Sequence, residues 1–204
     1  MTLTEASDAH VAADSAAAAR RAMIVSQLRT SGVNEPRILA AMASVAREDF
    51  VPAAMREAAY IDRAIPLGEG RFLAAPLVQG MMLSEANPSA QDKVLLVGDG
   101  AGYLATLLRG MVGSLDAVAP AEVASLGAAG EYTLIVIDGA IEELPEALGA
   151  QLVDGGRLVT GLVVRGVTRL ATGLKAAGAV SLLPLAEIGI PTLPEFAAPK
   201  RWSF

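Results

Sequence analysis

The sequence predicts an α/β fold built on an open, mostly parallel sheet, and three observations lead there. Residues 94–103, VLLVGDGAGY, run from an apolar stretch into Gly98-Asp99-Gly100-Ala101-Gly102 and on into a second apolar stretch. Residues 132–139, YTLIVIDG, form another unbroken apolar run, ending on Asp138-Gly139. Runs without polar alternation belong to strands buried on both faces, as in parallel sheets. Extended and helical segments also alternate through the second half, the order that right-handed β-α-β crossovers produce.

Taken in order, residues 1–14 are polar and patternless and are expected to be disordered. Residues 15–204 are read as a single domain, with a helical cap over 15–90 and a Rossmann-like core over 91–204. Met23, Ile24 and Leu28 have helical spacing and predict a first helix within 15–30, leaving Arg20, Arg21 and Gln27 for solvent and stopping at Gly32. Asn34-Glu35-Pro36 predicts a second helix start, with Asn34 as N-cap and proline in the first turn. Its stripe is Ile38, Met42 and Val45, widened by Leu39. Pro52 opens a short helix over 53–59. Residues 61–75 carry the breakers Pro66, Gly68 and Gly70 and read as a loop. Pro76 begins a helix through Leu83, ended by Asn87-Pro88.

The core begins with the strand Val94–Val97, followed by a helix over 103–112 that Gly113 breaks. Residues 114–119 are a weak second strand, and Tyr132–Ile137 is a buried one. Leu144–Leu152 is helical with Pro145 in its first turn, Gly155-Gly156 is a break, and Arg157–Val164 is the next strand. Residues 167–174 and 179–183 predict a hairpin around 175–178. There is no internal repeat and no clear linker.

Composition narrows the chemistry. At 204 residues and 53% hydrophobic, the chain can bury a sizeable core, packed chiefly by alanine, valine and leucine since only 4% is aromatic. A net charge of −6 argues against a nucleic-acid partner, which needs clustered Lys and Arg. No run of eighteen apolar residues exists, so no membrane span is expected. The first residues lack the basic start and leucine-rich centre of a secretory signal, which makes cytoplasm the default. With no cysteine, thiolate chemistry and a Cys-ligated metal are excluded. With His10 as the one histidine, in the patternless first residues, a Ser-His-Asp triad or a His-rich metal site is not expected. Any catalysis must come from a positioned reactive cofactor, carboxylates or backbone dipoles, which favours group transfer.

The glycine turn is the main candidate site. Glycine permits positive φ and close backbone approach, and a strand–turn–helix presents free N–H groups where open α/β sheets bind nucleotide-like cofactors. The alternating G-x-G-x-G form is commoner with S-adenosylmethionine than the G-x-G-x-x-G of dinucleotide enzymes; it also serves as a tight packing turn. The candidate cofactor-binding residues are Gly98, Asp99, Gly100, Gly102 and Asp138, and no side chain is assigned a catalytic role. Asp99 either touches cofactor or stabilises the turn. Asp138 either contacts ligand at the end of its strand or caps the following helix. Glu142-Glu143 reads as a solvated helix start, Met81-Met82 as core, and Phe196, Trp202 and Phe204 as packing of the tail onto the sheet.

An ordered chain of motifs carries a resemblance: Gln27-Leu28-Arg29, Arg37-Ile38-Leu39, Arg47-Glu48-Asp49-Phe50-Val51-Pro52, Ala59-Tyr60, Pro66-Leu67-Gly68-Glu69-Gly70, Pro76 and VLLVGDGAGY. Further along come Leu152-Val153-Asp154-Gly155-Gly156-Arg157-Leu158-Val159, Pro191-Thr192-Leu193-Pro194-Glu195-Phe196 and the closing Arg201-Trp202-Ser203-Phe204. Over residues 20–204 the chain resembles the protein-L-isoaspartate O-methyltransferases, in a bacterial branch. The resemblance implies a Rossmann-like class I methyltransferase sheet with a helical N-terminal cap, and S-adenosylmethionine against the glycine turn. It also implies methyl transfer to an isoaspartyl carboxylate of a damaged protein or peptide. Nothing in the sequence bears on oligomeric state.

Four departures from that family stand out. Ala74 occupies the place of a loop serine, Leu96 that of an acidic residue two before the first motif glycine, and Ala119 that of the acidic residue for the ribose hydroxyls. A hydrogen bond to a charged group is worth roughly 1.5–3 kcal/mol, so the Ala119 change alone weakens cofactor binding by about ten- to a hundredfold; Glu122 is the nearby substitute. Only residues 120–131 separate the second strand from Tyr132. One crossover takes about 10–12 residues and a full β-α-β unit about 30, so the sheet is expected to be shortened by its third strand. These departures support a second reading, a catalytically degraded relative that serves as a binding or assembly module.

Overall fold

The computed structural model describes residues 14–127 and 130–198. The expectation for residues 1–14 lies outside these, apart from residue 14, and so do Trp202 and Phe204. The chain forms two compact units, one ending at Gly80 and the other beginning at Met81.

In the first unit, α1 (14–23) continues as a π-helical turn, Ile24–Leu28, and a 3-10 turn, Arg29–Ser31. Gly32 ends it at φ 95°, a left-handed conformation that glycine adopts without strain. Met23, Ile24 and Leu28 are buried, as their spacing requires. Helix α2 (Pro36–Ser44) buries Ile38, Leu39 and Met42, while Val45 falls just past its end. Its N-cap is Glu35 rather than Asn34, because Pro36 fixes the first helical position one residue later than expected. Two 3-10 segments follow, Arg47–Phe50 and Ala53–Ala58.

The expected loop at 61–75 contains a hairpin, β1 (Ile65–Gly68) against β2 (Arg71–Leu73). Its breakers form the turn: Gly68, Glu69 and Gly70 all have positive φ. Two polar clusters hold the unit together. The Arg47 side chain is fully buried and donates to the carbonyls of Ala59 and Ala74 and to Gln79 Oε1, so its charge is solvated by protein dipoles. Tyr60 donates its hydroxyl to Glu48 and accepts from Arg20 Nε at 2.7 Å. Burial, and then the bond to Glu48, push the phenol up to about 12. Helix α3 (Pro76–Ala86) contains the division between the units.

The second unit is a six-stranded sheet: β3 (Lys93–Val97), β4 (Ser114–Val118), β5 (Tyr132–Ile141), β6 (Leu152–Val164), β7 (Val167–Ala176) and β8 (Ala179–Glu187). The spatial order is β4-β3-β5-β6-β7-β8, with the first four parallel and the last two antiparallel. The expected α/β class and parallel sheet are therefore present, and among the described residues no strand lies beyond β4. Among the described residues of 120–131 there is one 3-10 turn, Pro120–Ser125, in keeping with the short connection. Helices α4 (Tyr103–Arg109) and α5 (Glu146–Gln151) are shorter than expected. Gly110, not Gly113, closes α4, and Pro145 stands before α5 as its N-cap.

Gly155-Gly156 does not break β6; it forms an irregularity inside it, where pairing jumps from Tyr132↔Leu152 to Leu134↔Arg157. One face of the sheet buries Leu95, Val97, Ile135, Ile137 and Leu158 with Leu148 of α5 and Phe196 of the tail, the expected role of Phe196. Met82 is fully buried, in keeping with a core role. Among the described residues no helix is long and apolar enough to cross a membrane.

Candidate cofactor site

The chain leaves β3, forms β4 on one side of it, and returns to form β5 on the other. Ligand crevices of open α/β sheets open at such a reversal, outside the carboxyl ends of the strands. Gly98 follows β3 at this point, and its N–H donates to Val118 O at 2.9 Å, joining the turn to the end of β4. A Cβ built on Gly98 would lie 3.1 Å from Asp138 Cβ, and one on Gly100 would lie 3.0 Å from Ala117 Cβ. The glycines thus permit a close approach between the turn and its neighbouring strands. One on Gly102 would meet the Asp99 carbonyl at 3.1 Å. All five candidates, Gly98, Asp99, Gly100, Gly102 and Asp138, therefore converge at one end of β3.

Asp99 braces the turn. Its carboxylate accepts from the Ala101 N–H at 2.8 Å, and its carbonyl accepts from the Gly102 N–H at 3.0 Å. Asp138 caps no helix. It lies within β5, which runs four residues beyond the expected end, and α5 starts only at Glu146. The strand is irregular here, its pairing with β6 shifting between Val136 and Ala140.

The tail that follows β8 explains the longer strand. Ala140 donates to Pro191 O and accepts from Leu193 N, both at 2.8 Å, so the segment at Thr192 pairs parallel to the end of β5. Gly139 makes room for Leu193, whose Cγ would sit 2.5 Å from a Cβ there. Glu142 and Glu143 are not a helix start. Their N–H groups donate to Phe196 O, and the Glu142 carboxylate accepts from Ala198 N at 2.7 Å. Sequence reasoning missed this tail pairing.

The site's departures are also placed. Leu96 is buried in β3. Ala119 is exposed just past β4, and the Glu122 carboxylate turns back toward the Ala119 N–H at 3.4 Å. Ala74, in the first unit, is buried with its carbonyl on Arg47. Among the described residues no three His, Asp or Glu side chains gather as metal ligands.

The family model for protein-L-isoaspartate(D-aspartate) O-methyltransferase matches residues 19–128, more than half of the chain. The chain belongs to the protein-L-isoaspartate O-methyltransferase family. A protein-L-isoaspartate O-methyltransferase of Methanoculleus marisnigri is 30% identical over 203 residues, covering 87% of this chain and 92% of the relative. Protein-L-isoaspartate O-methyltransferase 1 of Rhodopseudomonas palustris is 33% identical, covering 72% and 70%. Among solved structures, a Plasmodium falciparum chain described as a beta-aspartate methyltransferase, in complex with S-adenosyl-L-homocysteine, matches with a TM-score of 0.66 at 17% identity. It covers 84% of this chain and 97% of that one, and at this identity the likeness speaks for the fold.

Proposed function

We propose that this chain transfers a methyl group from S-adenosylmethionine to the carboxylate of isoaspartyl residues in damaged proteins, a repair activity in the cytoplasm. The convergence of the Gly98 turn and Asp138 at the reversal of strand order, in a chain of this family, is the observation that carries the reading. The residues are compatible with such a cofactor: glycine at 98, 100 and 102 holds the turn close against β5, β4 and Asp99 and leaves backbone, not side chains, at the end of β3. Gly98, Asp99, Gly100 and Gly102 would hold the adenosyl and amino-acid portions, with Asp138 as the facing carboxylate. When bound, the cofactor supplies an electrophilic methyl group. The protein's task is then mostly alignment, because the attacking isoaspartyl carboxylate is already ionised at neutral pH. A chain with one histidine and no cysteine is suited to that task.

Two measurements test this in sequence. Calorimetric titration with S-adenosylmethionine is expected to give saturable heat, and labelled methyl is expected to pass to an isoaspartyl peptide but not to its aspartyl isomer. Absence of heat at millimolar cofactor overturns the reading. Cofactor binding without transfer would instead favour the binding-module reading, which Ala74 and the exposed Ala119 support.

A further inference from the structure

We propose that Arg109 is a positioning residue for the cofactor turn, clamping the Gly100–Ala101 peptide from the side opposite Asp99. This deepens the cofactor reading above and rests on it. Arg109 lies in the last turn of α4, and its side chain runs back along the helix to donate from Nη2 to the carbonyl of Gly100, nine residues earlier. On the other edge of the same peptide plane, the Ala101 N–H donates to Asp99 Oδ1 at 2.8 Å. In a trans peptide the C=O and N–H point in opposite directions, so the plane cannot rotate without breaking one of these two bonds.

Glycine at position 100 offers little torsional resistance of its own, so the orientation of the Gly100–Ala101 peptide within the turn depends on the two charged side chains. That shape keeps the Asp99 and Gly100 N–H groups out of every hydrogen bond formed among the described residues, so both are available to a ligand. Arg109 is exposed and forms no ion pair among the described residues. Its contact with Gly100 is therefore an ordering contact for the turn rather than part of a wider surface network. The guanidinium suits the role because it is always charged and presents planar donors to a carbonyl.

The test compares Arg109→Ala and Arg109→Lys with the parent chain, using S-adenosylhomocysteine as calorimetric probe and an isoaspartyl peptide in steady-state assays. Arg109→Ala is expected to raise the Kd for S-adenosylhomocysteine and the KM for S-adenosylmethionine by about three- to tenfold. The kcat at saturating cofactor, the KM for the peptide and the Tm should stay near parental values. Arg109→Lys, which keeps a charged donor, should recover at least half of the lost affinity on a logarithmic scale. Parental affinity in Arg109→Ala, or a fall in kcat with KM unchanged, overturns the positioning role while leaving the cofactor reading intact. A parent chain that does not bind S-adenosylhomocysteine overturns the cofactor reading, and the positioning role with it.

Discussion

The two rims of the sheet in the second unit are built on different principles. At the amino-terminal rim, Asp92 precedes β3 and is chelated by Arg157 of β6, with Oδ1–Nη1 at 2.9 Å and Oδ2–Nη2 at 2.7 Å. Thr133 of β5 and Ser89 complete its shell. The Asp92 carbonyl takes the N–H groups of Gly113 and Ser114 at the start of β4, and Arg157 also donates to the carbonyls of Ala86 and Asn87 at the end of α3. One ion pair thus ties together one helix end and four strands. The carboxyl-terminal rim holds the glycine turn, braced by Asp99, and has alanine or leucine where its family places carboxylates. Cross-linking density at one rim and unengaged N–H groups at the other separate what holds the fold from what meets a ligand. Substitutions at the two rims should accordingly fall into two classes, and the following would break that division if they did not.

The largest effect is expected at Asp92. Burial pushes its carboxyl up, but the bonds from Arg157, Thr133 and Ser89 outweigh this and hold it well below the usual carboxylate range. A depressed carboxyl contributes stability that is present above its unfolded pKa and is lost as pH falls toward the folded value. Asp92→Asn should therefore lower unfolding free energy at neutral pH by about 2–4 kcal/mol, because it leaves Arg157 without its partner. The deficit should shrink as pH is lowered below about 4. Urea unfolding across pH measures this, and cofactor affinity of the folded variant should stay within about twofold. A large affinity loss in a folded Asp92→Asn chain would mean the two rims are coupled.

Gly98→Ala probes the opposite rim. The added methyl would stand 3.1 Å from Asp138 Cβ, a contact that β5 must yield to accommodate. Overpacking of this size costs about 1–2 kcal/mol, less than the Asp92 change. Cofactor binding should nevertheless fall by tenfold or more in calorimetry, since the methyl displaces the turn from β5. Equal losses of stability and no loss of affinity would show the glycine to be a packing device only.

How far these rims could be read from the chain depends on locality. Val94–Val97 and Tyr132–Ile137 announced themselves because strands buried on both faces need uninterrupted apolar runs, and the short 120–131 connection followed from chain length alone. Gly98 and Asp138 were each legible as residues at strand ends, but their meeting was not, because it follows from the strand order β4-β3-β5. The hairpin at Ile65–Leu73 was not, because Gly68, Glu69 and Gly70 punctuate a turn and a loop alike. Nor were the tail pairing on Ala140 or the Asp92–Arg157 chelate, separated by 65 positions. Long-range polar partners leave no periodic trace in a sequence, so the chain alone leaves Asp138 open to a capping role although it lies inside an extended strand. Arg109 was equally silent: one basic residue at the end of a short helix reads as solvated until its carbonyl partner is seen.

The smallest expected change is a gain, and it sharpens the contrast between the rims most directly. Ala119 is exposed at the end of β4, beside the turn that Gly98 joins to Val118. The Glu122 carboxylate is turned back toward the Ala119 N–H at 3.4 Å, over its own 3-10 turn. Ala119→Asp would add an acceptor at the position where the family carries one, without filling buried space. A hydrogen bond from a neutral hydroxyl to a carboxylate contributes about 1.5 kcal/mol, which corresponds to roughly a tenfold tighter Kd for S-adenosylmethionine. Adenosine should share that gain, since it carries the same ribose hydroxyls, while stability in urea should change by less than about 0.5 kcal/mol because the site is at the surface. If tightening appears for neither ligand, the ribose does not reach the end of β4, and the cofactor would have to lie nearer β5 and Asp138.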